Sequence, residues 1–413
     1  MKKDRLKLLA NFSSQIFLLL VILFLSSGCN TKTAASKKSI RIAQFNIWEM
    51  STAKLTDVDS AGSGRNDQLK AAAEIIRKID PDVLVLNEID HDIDALLAGN
   101  DLSLNASRFN DAYLNQGADP LNYPYVYAAP CNTGILAGKD FDNNGKVATE
   151  ADRGSRDHGG DCYGYGSYPG QYAMAVLSKY PLLYKNARTF QKFLWKDLPE
   201  NLIPTSWYSS DEIDIFRLSS KSHWDIPVKI DEKVIHLLIS HPTPPVFDGP
   251  EDRNGRRNYD GVRMLVHYIN NDSVMIDDNG VRGGLSKDAS FIIAGDLNAA
   301  PKGDKLESGQ RSIDQLLNHP RIHDAGDLLV SEGALNGQTP GPPDYVERHT
   351  TGWKNGGGLR IDYLLPGTDL IPINGGVFWP DSSKDAEGAA LAKKASDHRM
   401  IWLDFNLWGR NMY

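Results

Sequence analysis

A chain of 413 residues, 41% hydrophobic and 24% charged, has the composition of an ordinary folded globular protein, which excludes the disordered and fibrous classes. Its length allows one large domain or two ordinary ones. Its net charge of −8 gives no global attraction for polyanions, so any contact with nucleic acid must rest on a local patch and on metal ions.

The amino terminus departs from this average. Lys2, Lys3, Arg5 and Lys7 precede an unbroken apolar run from Ile16 to Leu25, too short to cross a bilayer comfortably. This is the pattern of a secretory signal peptide over residues 1–28. Ser26-Ser27-Gly28 directly before Cys29 resemble a bacterial lipoprotein signal, in which the cysteine is lipidated and becomes the first mature residue; Ser26 departs from the leucine usual three positions before it. The expectation is a bacterial cell-envelope protein held at the membrane by a lipid on Cys29, with simple secretion as the alternative. Residues 1–28 hold four basic groups and one acidic group, so their removal takes the net charge from −8 to −11. Residues 29–38, small, polar and lysine-containing, read as a flexible tether. Cys131 and Cys162 are then an even pair in an oxidising compartment, where a disulfide is expected and two free buried thiols are the alternative.

From Ser39 the chain reads as one domain, 39–413, without internal repeat or long linker. Ile40 to Trp48 is a strand candidate with Asn46 near its end, where a strand terminus or a functional role would each explain a residue that strands disfavour. Leu69, Ala72, Ile76 and Ile79 recur at helical intervals over Gln68 to Ile79, and Pro81 blocks continuation. Asp82 to Ile89 is a second apolar strand ending in Glu88. Strand, helix and strand make a βαβ-like unit that brings Asn46 and Glu88 to one sheet edge. Residues 91–170 form an irregular insertion rich in Asn, Gly, Asp and Tyr. Within it, Asp140, Asp142 and Asn144, with Gly145 at the sixth position, resemble the start of a calcium-binding loop. The twelfth position, which should carry Glu, is Ala151, so a plain Asx-rich turn is the alternative. Gly164 to Gly170 is glycine-rich but follows no strand and opens no helix, so it is no nucleotide fingerprint.

Gln171 to Ser178 regains strand character. Val234 to Ser240 is a buried strand that ends at His241 and is stopped by Pro242, Pro244 and Pro245; His236 within it is expected to be structural. Arg253, Arg256, Arg257 and Arg263 cluster about a helix predicted over Tyr259 to Ile269, where they would form either a local phosphate-binding patch or an exposed basic helix entrance. Phe291-Ile292-Ile293-Ala294 is an apolar run stopped at Gly295, and period-two alternation sends Asp296 and Asn298 to one side of its end. Leu359 to Leu365 is a strand whose only carboxylate is Asp362. Ser396-Asp397-His398 opens the terminal strand.

Asn46, Glu88, His241, Asp296, Asn298, Asp362, Asp397 and His398 thus all lie at strand ends. If those ends converge, they make an oxygen-rich pocket for a hard cation such as Mg2+ or Mn2+, with two imidazoles for proton transfer, a combination suited to phosphate-ester hydrolysis. Gln44-Phe45-Asn46, Leu86-Asn87-Glu88, Ser240-His241, Gly295-Asp296-Leu297-Asn298, Arg360-Ile361-Asp362-Tyr363 and Ser396-Asp397-His398, in this order, resemble the endonuclease/exonuclease/phosphatase superfamily over nearly all of residues 39–408. The resemblance implies a four-layer α/β sandwich of two packed mixed β-sheets flanked by helices. It implies Glu88 as main metal ligand with Asn46 and Asp397 near it, and His398, oriented by Asp362, as general base or its equivalent. By the same resemblance His241 contacts the scissile phosphate, and Asp296 and Asn298 position water and phosphate. The substrate would be nucleic acid, a phospholipid head group or a small phosphoester, hydrolysed by a monomer, with structural Ca2+ as a further expectation. A non-catalytic binding lipoprotein that keeps the fold is the alternative; it is disfavoured because no carboxylate or histidine of the set is missing.

Overall fold

The computed structural model describes residues 39–407 apart from 248, 304, 307, 337–342 and 354–356; the signal segment, Cys29 and the tether lie outside the described residues. In chain order the strands are β1 (Ile40–Met50), β2 (Val83–Ile89), β3 (Tyr125–Tyr127), β4 (Met174–Ser178), β5 (Arg188–Thr189), β6 (His223–Ile230), β7 (Lys233–Ser240), β8 (Ser290–Asp296), β9 (Asp362–Pro366), β10 (Pro372–Val377) and β11 (Ile401–Phe405). The longest helices among the described residues are α1 (Asp67–Ile79), α2 (Arg253–Ile269) and α3 (Ala386–Ala395). One sheet has the order β10-β11-β1-β2-β4-β3 and the other β5-β6-β7-β8-β9. Within them β1–β2 and β7–β8 are parallel and the remaining pairs antiparallel.

Alternation along each strand separates three apolar layers. Ile40 and Ile42 of β1, Val83 and Val85 of β2, Ile235, Leu237 and Ile239 of β7, Ile292 and Ala294 of β8 and Leu364 of β9 share one buried cluster between the sheets. The intervening residues Ala43, Phe45, Leu84 and Leu86 face α1, whose Leu69, Ala72, Ile75, Ile76 and Ile79 complete a second cluster. Leu238, Phe291, Ile293, Tyr363 and Leu365 meet Val262, Leu265 and Ile269 of α2 in a third. The result is the expected four-layer α/β sandwich. Each fully buried aliphatic side chain in these layers contributes about 1.5–3 kcal/mol. Arg41 ties β1 to β11 by a bidentate pair with Asp404, at 2.7 and 2.8 Å, across 363 residues of sequence.

Helix α1 begins where Asn66 caps Leu69 N–H (3.1 Å) and ends at Asp80, in the left-handed region, just before Pro81. Helix α2 starts at Arg253, earlier than its apolar spacing indicates, because Asn254, Gly255, Arg257 and Asn258 are buried despite being polar or small. The insertion is more regular than its composition suggests. It carries helical segments at Ile93–Leu97, Leu104–Phe109 and Asn110–Leu114, and β3 within it extends the first sheet.

The expected disulfide is absent: Cys131 and Cys162 are free and buried. The Cys131 sulfur lies 3.0 Å from the Thr133 hydroxyl, whereas Cys162 donates to the His158 carbonyl at 3.0 Å. Burial pushes the two thiols up to about 11 and about 12, so both are protonated at neutral pH.

Candidate active site

The apolar layer between the sheets runs out at one end, and the same face of each strand continues with polar residues. After Ile42 come Gln44 and Asn46; after Val85 comes Asn87; after Ile239 comes His241; after Ala294 comes Asp296; and Asp362 precedes Leu364 at the same spacing. These groups bond across the sheets. Gln44 Nε2 donates to Asn87 Oδ1 (2.8 Å) and to Asp362 Oδ1 (3.0 Å), and Asn46 Nδ2 donates to Glu88 Oε1 (3.0 Å) and Asp296 Oδ2 (3.1 Å). A buried carboxylate and carboxamide are stable here because each has a partner.

Glu88 has the wrong parity to face this layer, and a backbone twist corrects it. Its φ is +62°, a left-handed value that strains a side chain with a Cβ. Trp48 and Glu49 are also left-handed, at +51° and +53°, and this turn aims two backbone N–H groups inward: Trp48 to Asn46 Oδ1 (3.0 Å) and Glu49 to Glu88 Oε2 (3.3 Å). Asn298, left-handed at +49°, folds back so that its N–H reaches Asp296 Oδ1 (2.9 Å), while its amide donates to the Pro242 carbonyl (3.1 Å). Gly295 allows the close approach of β8 to β7: a Cβ there would stand 2.0 Å from the Ser240 carbonyl oxygen.

His398 Nδ1 lies 2.8 Å from Asp362 Oδ2, and its Nε2 lies 3.7 Å from Asp296 Oδ2. His241 Nε2 is 3.4 Å from the same Asp296 oxygen. Burial disfavours charge on His398, yet the carboxylates of Asp362 and Asp296 outweigh it and push the imidazole up to about 10. For Asp296, burial likewise opposes ionisation, but His398 and His241 hold the carboxyl below its ordinary range. Behind Glu88, burial raises Asp90 to about 6 despite the bond from the Tyr168 hydroxyl and the Tyr172 N–H at 3.0 Å.

The ligating atoms of Glu88, His241 and Asp296 all lie within 4.8 Å of one another, as do those of Asp296, Asp362 and His398. Two carboxylates and one imidazole are a donor set that suits a divalent cation, and both groups have it. Asn46 crosslinks Glu88 and Asp296 through its amide nitrogen in place of offering its oxygen. Asp397 accepts from Trp353 Nε1 (3.0 Å) and from the Ser396 hydroxyl (3.4 Å), and it belongs to neither group.

In the calcium-like loop, Asp140 and Asp142 converge with Asp161, and Asn144 N–H donates to Asp140 Oδ1 (3.0 Å) and Asp142 Oδ1 (3.2 Å). Asn144 uses its side-chain oxygen to accept Lys146 N–H (2.9 Å). Three of the four arginines bond within the protein: Arg257 donates to the carbonyls of Leu218 (2.8 Å), Arg217 (2.8 Å) and Tyr163 (2.5 Å), Arg263 to Glu200 and Asp260, and Arg253 to Phe141, Tyr208 and Asn254. Sequence reasoning gave no role to Gln44 and Asn87, although both sit on the alternating face, or to Glu49, whose carboxylate receives the Tyr172 hydroxyl (3.1 Å) across the glycine-rich loop.

The Endonuclease/Exonuclease/phosphatase family matches the chain over residues 43–398. The chain therefore belongs to that family, which is made up of phosphoester hydrolases that use divalent metals. Among solved structures it is similar to an endonuclease/exonuclease/phosphatase from Beutenbergia cavernae DSM 12333, 16% identical, covering 90% of this chain and 72% of that one with a TM-score of 0.50, a likeness of fold. Also similar are TDP2 from Caenorhabditis elegans (13% identical, 89% and 75% covered, TM-score 0.41) and sphingomyelinase C from Streptomyces griseocarneus (13%, 89% and 99%, TM-score 0.44). No curated protein matches the chain.

Proposed function

We propose that this chain is a metal-dependent phosphoesterase of the bacterial cell envelope, tethered through Cys29. The observation that carries the catalytic part is the convergence of Glu88, His241, Asp296, Asp362 and His398 on one mouth between the sheets, with Asp296 shared by both histidines. Glu88, Asp296 and His241 would hold the cation, which when bound offsets phosphate charge and polarises the scissile bond. Asp362 accepts the Nδ1 proton of His398 and fixes the ring. The carboxylates of Asp362 and Asp296 favour the charged form of His398, which would donate from Nε2 to a phosphate oxygen. This differs from the neutral general base that the family resemblance suggests. Asp296, kept ionised between two imidazoles, would serve as a charged ligand, and the Asn298 backbone N–H holds its carboxylate in place for that. A panel of plasmid DNA, RNA, sphingomyelin, bis-p-nitrophenyl phosphate and sugar phosphates tests the reading and separates the substrate classes. EDTA should abolish hydrolysis and magnesium or manganese should restore it; full activity in EDTA sinks the mechanism.

A further inference from the structure

Lys221 is 7% exposed as a residue, and among the described residues its ammonium, which reaches solvent, makes no hydrogen bond or ion pair. An ammonium with a buried stem, an accessible tip and no partner in the protein is placed to receive an anion. Its position is built. The antiparallel register pairs His223 with Ser240, so Lys221, two residues before β6, lies beside the stretch that leaves β7 at His241 and Pro242. The insertion fixes it from the other side: Asn132 N–H donates to the Lys221 carbonyl (2.9 Å). Gly164 packs so closely on the preceding residue that a Cβ would stand 1.9 Å from the Ser220 carbonyl oxygen. Burial lowers the ammonium pKa; the carboxylates of Glu88 and Asp296 and the Cys131 thiol oppose that shift, and Arg257 adds to it. The ammonium therefore stands in the field of two groups that would hold the cation, yet it pairs with neither.

We propose that Lys221 contacts the non-bridging oxygens of the substrate's phosphate group, and that the insertion places it there. This rests on the phosphoesterase reading and adds a substrate-contacting residue to it. An anion between the cation site and Lys221 would give the ammonium its missing partner. Glu88 and Asp296 both accept from Asn46, and neither makes an ion pair with Lys221.

The test is binding of inorganic phosphate to the full chain by titration calorimetry with magnesium present, alongside hydrolysis of bis-p-nitrophenyl phosphate. Wild type should bind phosphate, and Lys221→Met should bind it roughly 10- to 100-fold more weakly, the loss expected of one charged hydrogen bond. Lys221→Arg should recover most of the affinity, and KM should rise with the same rank order. Equal phosphate affinity in wild type and Lys221→Met overturns the inference while leaving the phosphoesterase reading intact. If Lys221→Met does not fold, the comparison of Lys221→Arg with Lys221→Gln decides, and equal affinity of those two overturns it as well. Wild type that neither binds phosphate nor hydrolyses any ester of the panel overturns both.

Discussion

Two buried histidines titrate in opposite directions, and the contrast defines what each can do. His398 is held charged by Asp362 and Asp296, up to about 10, so in the metal-free chain its NMR titration should stay in the protonated form across neutral pH. Asp362→Asn removes the nearer carboxylate and should bring that titration down toward the ordinary value; an unmoved curve would mean Asp362 does not set the charge. His398→Ala should lower turnover by ~100- to 10,000-fold, and the double variant should be little worse, because both residues serve one donor. His223 is the reverse case. Burial holds it neutral down to about 4, with Nε2 2.9 Å from the Gly261 carbonyl and Nδ1 2.5 Å from the Ser219 hydroxyl. Its folded pKa lies below the unfolded ~6.5, so the stability it contributes is complete above that pH and drains as pH falls toward 4, by roughly 3 kcal/mol in all. His223→Asn should therefore flatten the fall in melting temperature between pH 6.5 and 4. The same slope in both proteins would assign acid sensitivity elsewhere.

Strand ends made the converging polar set readable, because an apolar run that terminates in Asn46, His241, Asp296 or Asp362 signals where a buried layer meets solvent. Glu88 was readable as a strand-end carboxylate but not by parity, since only a left-handed torsion turns it inward. Lys221 carried no signal: Ser-Ser-Lys-Ser-His has no motif, and the contacts that fix its backbone come from Asn132 and Gly164, far away in sequence. The thiols were misread because pairing depends on where each sulfur points, which spacing does not encode. Strands β7 and β8 approach closely at Gly295. Gly295→Ala would drive a methyl to 2.0 Å from the Ser240 oxygen, at a backbone φ of +150°. The strands must part, widening the His241–Asp296 approach, so the variant should melt several degrees lower and lose activity together. Wild-type melting with full activity would show that the sheet absorbs the methyl.

At the scale of the molecule, a cation that binds only the folded chain stabilises all of it, by about 2.7 kcal/mol at a hundred times its dissociation constant. Magnesium should raise the melting temperature of wild type, and Glu88→Gln should abolish most of that rise; an equal rise in both would move the site away from Glu88. Location is tested separately: Cys29→Ala should shift the protein from the membrane fraction to the soluble one without changing specific activity, and continued sedimentation would rule out the lipid anchor. The pairing of β1 with β11 has a consequence for the order of synthesis. Arg41 meets Asp404 only after 363 further residues exist, which at roughly 5–20 residues per second is a wait of about 20–70 seconds. Until then β1 presents an open edge, and Asn46 waits for the Ser396 hydroxyl that reaches its carbonyl at 2.8 Å. The strand-end cluster is therefore assembled late: until the segment from Ser396 to Asp404 has been made, neither the β1–β11 pairing nor the Asp362–His398 contact exists.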